Sequence, residues 1–81
     1  MENKIKAHIS EVLEDARVEV LDPREDGIHL EAIVISESFK DLSLIKRQRI
    51  VMGALKDLFE TGLHALGLKT FTPEEWNAKD H

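Results

Sequence analysis

Histidine is the residue type through which this 81-residue chain could bind a metal ion or carry a proton near neutral pH. The chain has four histidines and no cysteine, so a metal site must use imidazole or carboxylate groups. No two histidines have the spacing of a zinc site within one predicted element. His8 lies on a predicted first helix and His81 ends the chain, and neither is assigned a role.

His64 stands at the first position of a predicted short strand, on the same side of that strand as Leu66 and Leu68. One interpretation is structural, with the imidazole partly buried and bonded to a backbone carbonyl. The other is functional: a ligand or proton carrier held at a rigid edge, with its approach left open by Gly62, which has no side chain. The residues alone leave both interpretations open and favour the structural one.

His29 opens the predicted central strand, on the opposite side of it from Leu30, Ala32 and Val34. A surface histidine on the open face of the sheet is the favoured interpretation. Because the strands that begin at His29 and His64 are expected to run parallel, the two side chains could still meet in space.

Three cations, Lys46, Arg47 and Arg49, fall within the first two turns of a predicted long helix. Cations there oppose the helix dipole at a cost of roughly a few tenths of a kcal/mol each, so stability alone would favour acidic residues. They form either a solvated face or a docking patch for an acidic partner or phosphate. The net charge of −5 argues against broad, phosphate-driven binding of nucleic acid.

Catalysis and membrane insertion find little support in the sequence. There is no Ser/His/Asp or Cys/His grouping and no glycine-rich phosphate loop, so we expect that the protein is not an enzyme. No apolar run approaches the ~20 residues of a membrane span, and the polar N-terminus is unlike a signal peptide. We therefore expect one cytoplasmic domain over residues 1–81, without a membrane partner.

Hydrophobic periodicity indicates the elements that must position these residues. They are a helix over 2–15, strands over 17–21 and 28–36 joined as an antiparallel hairpin by the loop 22–27, a helix over 43–60, a strand over 64–71 and a short final helix. The strand–helix–strand order requires a right-handed crossover, so the last strand should run parallel to a hairpin strand. We therefore predict an α+β fold with a three-stranded mixed sheet and the helices packed on one face.

Capping residues mark the boundaries of the later helices. Ser43 is a plausible N-cap of the long helix, and Gly62 ends it. Thr72 can cap the final helix, with Pro73 at its first position and Glu75 placed to reach back to the cap. A cap this complete before so short a helix indicates that the geometry of the segment matters.

In order and spacing, these residues resemble the BolA family. The match runs from the first helix to Trp76 and rests on Gly-Ile-His-Leu at 27–30, Ile33-Val34-Ile35-Ser36 followed by Phe39, Lys46-Arg47-Gln48-Arg49, His64-Ala65-Leu66, Lys69-Thr70 and Thr72-Pro73-Glu74-Glu75-Trp76. No single motif is decisive, and their combination is specific. The short loop 22–27 and Gln48 are more similar to the small bacterial IbaG branch than to BolA proper.

The resemblance implies a fold related to the type II KH domain and partnership with a monothiol glutaredoxin. Together the two proteins would bind a [2Fe–2S] cluster with glutathione, in iron–sulfur trafficking, iron regulation and stress responses. His64 matches the family's ligand histidine, which makes the ligand role the favoured one. His29 is the candidate second ligand, and Lys46, Arg47, Arg49 and Lys69 are candidates for binding a partner or nucleic acid. Without the cluster we expect a monomer or weak homodimer.

Three departures from the family pattern are visible. The family usually has a second ligand, Cys or His, in the loop between the first two strands, and residues 22–28 contain neither. Gln48 stands where the basic motif usually has a histidine. The chain also lacks the Gly-x-x-Gly loop with which KH domains clamp a nucleic-acid backbone. Some family members are described as DNA-binding regulators, so regulation of transcription is the alternative function.

Overall fold

The computed structural model describes residues 1–79, so His81 lies outside the described residues. Along these residues the elements follow in the predicted order, with an added 3-10 turn and a divided long helix. They are α1 (Glu2–Val12), β1 (Arg17–Leu21), β2 (His29–Ile35), the 3-10 turn Glu37–Phe39, α2 (Leu44–Ala54), α3 (Lys56–Thr61), β3 (Ala65–Phe71) and α4 (Pro73–Ala78).

The three strands form one mixed sheet in the order β1-β2-β3. β1 runs antiparallel to β2, as the predicted hairpin requires. β3 runs parallel to β2, with His29 paired to Ala65 at one end and Ile35 paired to Phe71 at the other. Parallel neighbours need a crossover, which α2 and α3 provide. The predicted α+β fold with a three-stranded mixed sheet is therefore confirmed.

The core lies against one face of this sheet. Leu30 and Val34 are buried along β2. His29, which precedes Leu30, and Glu31, which follows it, are exposed. This alternation points the apolar side chains of the strand towards the helices. The core cluster consists of Ile5, Ile9, Leu13, Leu30, Val34, Phe39, Val51, Leu55, Leu58 and Leu63.

The single long helix predicted over residues 43–60 is wrong, because the helix is divided at Leu55 into α2 and α3. Leu55 has φ −97° and ψ 1°, and its N–H is shared between the carbonyl oxygens of Val51 and Met52, each 3.2 Å away. Gly53, a weak helix former, lies just before this point and weakens the helix there. The turn at this position keeps the side chain of Leu55 fully buried.

α1 ends at Val12, earlier than the predicted end at Asp15. Leu13 leaves the helix with φ −132° and ψ 87° and is buried in the core. The Asp15 carboxylate instead accepts hydrogen bonds from Ser36 Oγ at 2.6 Å and from the N–H of Glu37 at 2.8 Å. These bonds lower the pKa of Asp15, the bond from Ser36 being the largest cause. Asp15 thus ties the turn before β1 to the end of β2.

The predicted caps of α2 and α4 are confirmed. Ser43 Oγ accepts a hydrogen bond from the N–H of Lys46 at 3.2 Å. Thr72 Oγ1 accepts one from the N–H of Glu75 at 3.1 Å, and Glu75 Oε1 accepts one from the N–H of Thr72 at 2.8 Å. Pro73 occupies the first helical position, as predicted. This reciprocal capping box fixes the direction in which the chain leaves β3.

Candidate functional site

His29 and His64 lie at the same end of the sheet, which we call the histidine end. His29 is the first residue of β2 and pairs with Ala65, the first residue of β3. His64 directly precedes Ala65, and both histidines are exposed. Parallel pairing therefore brings the two predicted metal-binding residues to one end of the sheet.

His64 is not held as the structural interpretation required. The residue is exposed, just before rather than within β3, and its ring makes no hydrogen bond to any of residues 1–79. Its backbone is anchored on both sides, because Leu63 belongs to the core and Leu66 packs against it. The backbone at His64 is therefore held in place while its imidazole stays accessible. Both are needed for a side chain that binds a group carried by a second molecule.

His29 is oriented by a carboxylate. Its Nδ1 lies 2.8 Å from Asp26 Oδ2, while Asp26 Oδ1 accepts hydrogen bonds from the N–H groups of Ile28 at 2.9 Å and His29 at 3.0 Å. The bond to the imidazole and then the backbone bonds lower the pKa of Asp26. A carboxylate acceptor favours the tautomer with its hydrogen on Nδ1, which leaves the Nε2 lone pair free. Metal-binding histidines commonly have this arrangement.

Two aspartates shape the loop between β1 and β2. Asp22 Oδ2 accepts a hydrogen bond from the N–H of Gly27 at 2.9 Å. Glu25 and Gly27 adopt the left-handed region, with φ of 54° and 68°, and this reverses the chain before β2. The loop contains no histidine or cysteine, and through Asp26 it orients His29.

An open cavity of about 320 Å³ lies beside His29. Its lining combines a cation, a carboxylate and the first residues of β3: Pro23, Arg24, His29, Leu30, Glu31, Ala65, Leu66 and Gly67. The cavity leaves room next to the imidazole for a group that belongs to another molecule.

Among the described residues, the histidine end does not form a self-contained metal site. Among residues 1–79, no group of three or more His, Cys, Asp or Glu side chains is placed to hold a metal ion. His29 and His64 offer two imidazoles, and residues 1–79 do not add a third such group beside them. Two histidines can replace two cysteines on one iron of a [2Fe–2S] cluster. Two exposed imidazoles at one end of the sheet are therefore chemically suited to a metal centre that another molecule completes.

The prediction that Arg47 belongs to a basic surface patch is wrong, because its side chain is buried. It is only 7% exposed, and its Nη1 and Nη2 donate to the Glu75 carboxylate at 2.6 and 3.2 Å. Its Nε donates to the carbonyl oxygen of Leu42 at 3.1 Å, and the guanidinium lies 5.7 Å from the centre of the Phe39 ring. Buried and paired in this way, Arg47 is not an exposed cation for a docking partner.

The other three predicted cations are exposed but do not form one patch. Lys46 and Arg49 lie together at the start of α2. Lys69 pairs with Ile33 in the register and alternates with Leu68, which packs against the core, so it points to the open face of the sheet. The structure therefore brings together two of the four predicted basic residues and separates Lys69 from them.

The basic start of α2 and the histidine end lie at opposite ends of the sheet. α2 follows the C-terminal end of β2, and Arg47 contacts Glu75, which follows the C-terminal end of β3. His29 begins β2 and His64 directly precedes β3, so both lie at the N-terminal ends of the same strands. Each strand has seven residues, which at about 3.3 Å per residue separates the two ends by roughly 20 Å.

Sequence reasoning missed the acidic residues that organise these side chains. Asp26 could have been found, since Asp-Gly-Ile-His places a carboxylate three residues before an imidazole at the end of a turn. Glu75 was recognised only as a capping residue. Its pairing with Arg47 spans 28 positions and leaves no local signal.

Comparison with known proteins places this geometry in a family. A family model described as BolA-like protein matches residues 1–75. The acid stress protein IbaG of Escherichia coli is 36% identical over 52 residues, covering 63% of this chain and 62% of IbaG. The chloroplastic BOLA1 protein of Arabidopsis thaliana is 38% identical over 56 residues, covering 69% of this chain and 35% of that protein.

A Haemophilus influenzae protein named DNA-binding transcriptional regulator BolA is 33% identical over 52 residues, covering 64% of this chain and 50% of that protein. The chain therefore spans about a third to two-thirds of the length of these three relatives.

Solved structures have the same fold. A bolA protein homologue from Coxiella burnetii superposes with a TM-score of 0.79 at 35% identity, covering 95% of this chain and 96% of that chain. The BolA domain of SufE1 from Arabidopsis thaliana superposes with a TM-score of 0.76 at 29% identity, covering 90% and 92%. Within residues 1–79, none of the helices has the length and apolar character needed to cross a membrane. With the family model matched over most of its length, the chain belongs to the BolA-like protein family.

Proposed function

We propose that the protein is a non-enzymatic adaptor that joins a monothiol glutaredoxin to bind, transfer or sense a [2Fe–2S] cluster. His64 and His29 would supply imidazole ligands, and the glutaredoxin and its glutathione would supply the others. The observation that carries the proposal is the pair of exposed imidazoles at one end of the sheet, one of them oriented by Asp26. The resemblance to the BolA family points to the same partner.

Imidazole ligands favour a cluster that is passed on to another protein. A cluster with histidine in place of thiolate is higher in potential and less tightly held, which suits transfer or sensing better than storage. We place this role in cytoplasmic iron–sulfur and iron homeostasis and in stress responses. The name of the IbaG relative, an acid stress protein, agrees with the last of these. Without the cluster, the chain would be a monomer or weak homodimer.

The proposal is tested by mixing the purified chain with cluster-loaded glutaredoxin and following visible circular dichroism. The wild-type chain should change the cluster spectrum, His64→Ala should abolish the change, and His29→Ala should weaken it. His8→Ala is the matched control, because the His8 imidazole lies on α1 and is 2.8 Å from the carbonyl oxygen of Lys4. An unchanged spectrum with the wild type, or an equal change with His64→Ala, would contradict the proposal.

A second candidate is a DNA-binding regulator, favoured by the name of the Haemophilus relative and by exposed Lys46 and Arg49 at the start of α2. The burial of Arg47 and the net charge of −5 leave few cations for phosphate contacts. Binding through phosphates must weaken steeply as salt rises. Failure of micromolar protein to shift duplex DNA at low salt would remove this candidate.

A further inference from the structure

α2 presents to solvent an apolar and basic surface that the packing of the fold does not use. Leu44 and Ile45 are 65% and 63% exposed, and Met52 is 36% exposed. Arg47 and Val51, on the inner side of the same helix, are buried. The α2 outer face, as we call it, consists of the exposed residues Leu44, Ile45, Lys46, Gln48, Arg49, Met52 and Gly53.

Gly53 is a position where another backbone could approach this face closely. It follows Ile45 and Arg49 at four-residue spacing, so the three residues form one row along the helix. A Cβ at Gly53 would meet no atom within 4 Å, so no contact inside the fold requires glycine there. Glycine also lowers helix stability relative to alanine. A glycine in this row leaves space for close packing by a second molecule.

Charge decides the kind of molecule that fits. Lys46 and Arg49 border the apolar side chains, and neither is paired with a carboxylate of residues 1–79. Two copies of the chain packed about a two-fold axis close to these cations would place like charges against each other, which disfavours self-association centred on them. Nucleic acid would pair with the cations but would leave Leu44 and Ile45 without an apolar partner. A protein segment carrying carboxylates beside apolar side chains satisfies both parts of the surface.

The location of the α2 outer face separates it from the cluster site. Its N-terminal part lies at the end of the sheet opposite His64, roughly 20 Å away along strands of seven residues. A partner bound at the histidine end therefore need not cover Leu44, Ile45, Lys46 and Arg49, and both surfaces could be occupied together.

We propose that the α2 outer face docks a second protein through an acidic amphipathic segment, while the histidine end remains free for the cluster partner. This inference goes beyond the proposed function and does not depend on it, because it rests on exposure, spacing and charge along α2. The apolar side chains of the segment would cover Leu44, Ile45 and Met52. Its carboxylates would pair with Lys46 and Arg49.

The test uses two synthetic amphipathic peptides as probes and the full ¹⁵N-labelled chain. Both peptides carry leucines at helical spacing, with glutamates on the polar face of one and lysines on the polar face of the other. The acidic peptide should shift the backbone amides of residues 44–53 and bind about tenfold more tightly than the basic one. The amides around His64 should not move. Equal binding of the two peptides, or shifts centred elsewhere, would overturn the proposal.

Matched variants separate docking from loss of folding. Arg49→Glu should weaken the acidic peptide about tenfold, whereas Lys6→Glu, the same charge change on α1, should have little effect. Ile45→Ala should also weaken binding, whereas Val12→Ala, at an exposed apolar position of α1, should not. Each variant must retain the wild-type amide spectrum away from its own substitution. Equal effects of target and control variants would show that this face is not the docking surface.

Two alternative occupants are outcomes of the same experiment. A duplex DNA that shifts the amides of residues 44–53 more strongly than the acidic peptide would replace the proposal with a nucleic-acid surface. Concentration-dependent shifts of the same amides without any peptide would replace it with a contact between copies. A final titration adds cluster-loaded glutaredoxin. If the acidic peptide stays bound when glutaredoxin is added, the two partners use separate surfaces. If glutaredoxin displaces the peptide, the proposal of separate surfaces is contradicted, whether or not the cluster spectrum changes.

Discussion

The Arg47 guanidinium reaches the Glu75 carboxylate across 28 positions of the sequence, with nitrogen–oxygen distances of 2.6 and 3.2 Å. Glu75 also closes the capping box with Thr72, so the same carboxylate starts α4 and holds α2. Phe39 lies under the guanidinium and is fully buried. One ion pair therefore joins the first turns of two helices over the core.

Replacement of Arg47 should destabilise the protein more than replacement of its neighbour Arg49. Arg47→Ala removes three hydrogen-bonding interactions and leaves Glu75 without its cation. Arg49→Ala removes an exposed side chain and should change the free energy of unfolding by no more than about 0.5 kcal/mol. Urea unfolding of both variants measures the difference. Equal effects would mean that the Arg47–Glu75 pair adds nothing to stability.

Acidification should weaken the link between Arg47 and Glu75. The hydrogen bond from Arg47 is the largest cause that lowers the pKa of Glu75 from 4.5 to about 2. Because the pKa of Glu75 is lower in the folded state than in the unfolded state, its ionised form stabilises the protein fully at pH values above the unfolded pKa. This stabilisation is lost as the pH falls from about 4.5 towards 2. The wild type should therefore lose more stability over this window than Glu75→Gln does. Parallel slopes of unfolding free energy against pH would exclude this account.

Asp26 should act on the cluster through His29. Asp26→Asn keeps an oxygen that can accept the backbone hydrogen bonds but removes the charge that favours hydrogen on Nδ1. Loss of such a carboxylate typically weakens metal binding by about 10–100-fold. We expect the titration of cluster-loaded glutaredoxin, followed by circular dichroism, to need correspondingly more protein. In the His29→Ala background, Asp26→Asn should have no further effect, and an independent effect there would remove His29 from the explanation.

Two isoleucines allow the core and the α2 outer face to be compared by the same substitution. Ile9 is fully buried and Ile45 is 63% exposed. Ile9→Val should lower the free energy of unfolding by about 1 kcal/mol, because it leaves a small cavity. Ile45→Val should leave it within about 0.5 kcal/mol. Thermal unfolding distinguishes them, and a loss at Ile45 equal to that at Ile9 would show that the outer face is packed.

Gly53→Ala should stabilise the isolated protein. The added methyl group would meet no atom within 4 Å, and alanine favours the helix by about 1 kcal/mol over glycine. The melting temperature should rise while binding of the acidic peptide to α2 falls. A lower melting temperature would instead show that the division of the helix at Leu55 needs glycine nearby.

Local signals in the sequence were sufficient for the order of the elements and for the caps of α2 and α4. The Thr72 and Glu75 side chains cap α4 within four residues, and alternation along β2 separates Leu30 from His29. Such features are encoded by neighbouring residues, and the structure contains them where the sequence predicted them. The order of the elements then predicts a last strand parallel to one of the hairpin strands, and the structure pairs it with β2.

Features that depend on contacts between distant residues could not be predicted from the sequence. Arg47 looks like its neighbours Lys46 and Arg49, and only the approach of Glu75 from beyond β3 shows that it is buried. The division of the helix at Leu55 likewise reflects how that side chain reaches the core. Both are decided by tertiary packing, which can override local preference.

The parallel register of β2 and β3 makes the histidine pair a reporter of complete folding. His29 and His64 are distant along the chain and become neighbours only after the crossover through α2 and α3 has closed. A partly folded chain can form α1 and the β1–β2 hairpin from local contacts and still lack the pair. Long-range parallel pairing is among the slower steps of folding. Cluster transfer that needs both imidazoles would thus take place only with fully folded chains, in which β3 has already paired with β2.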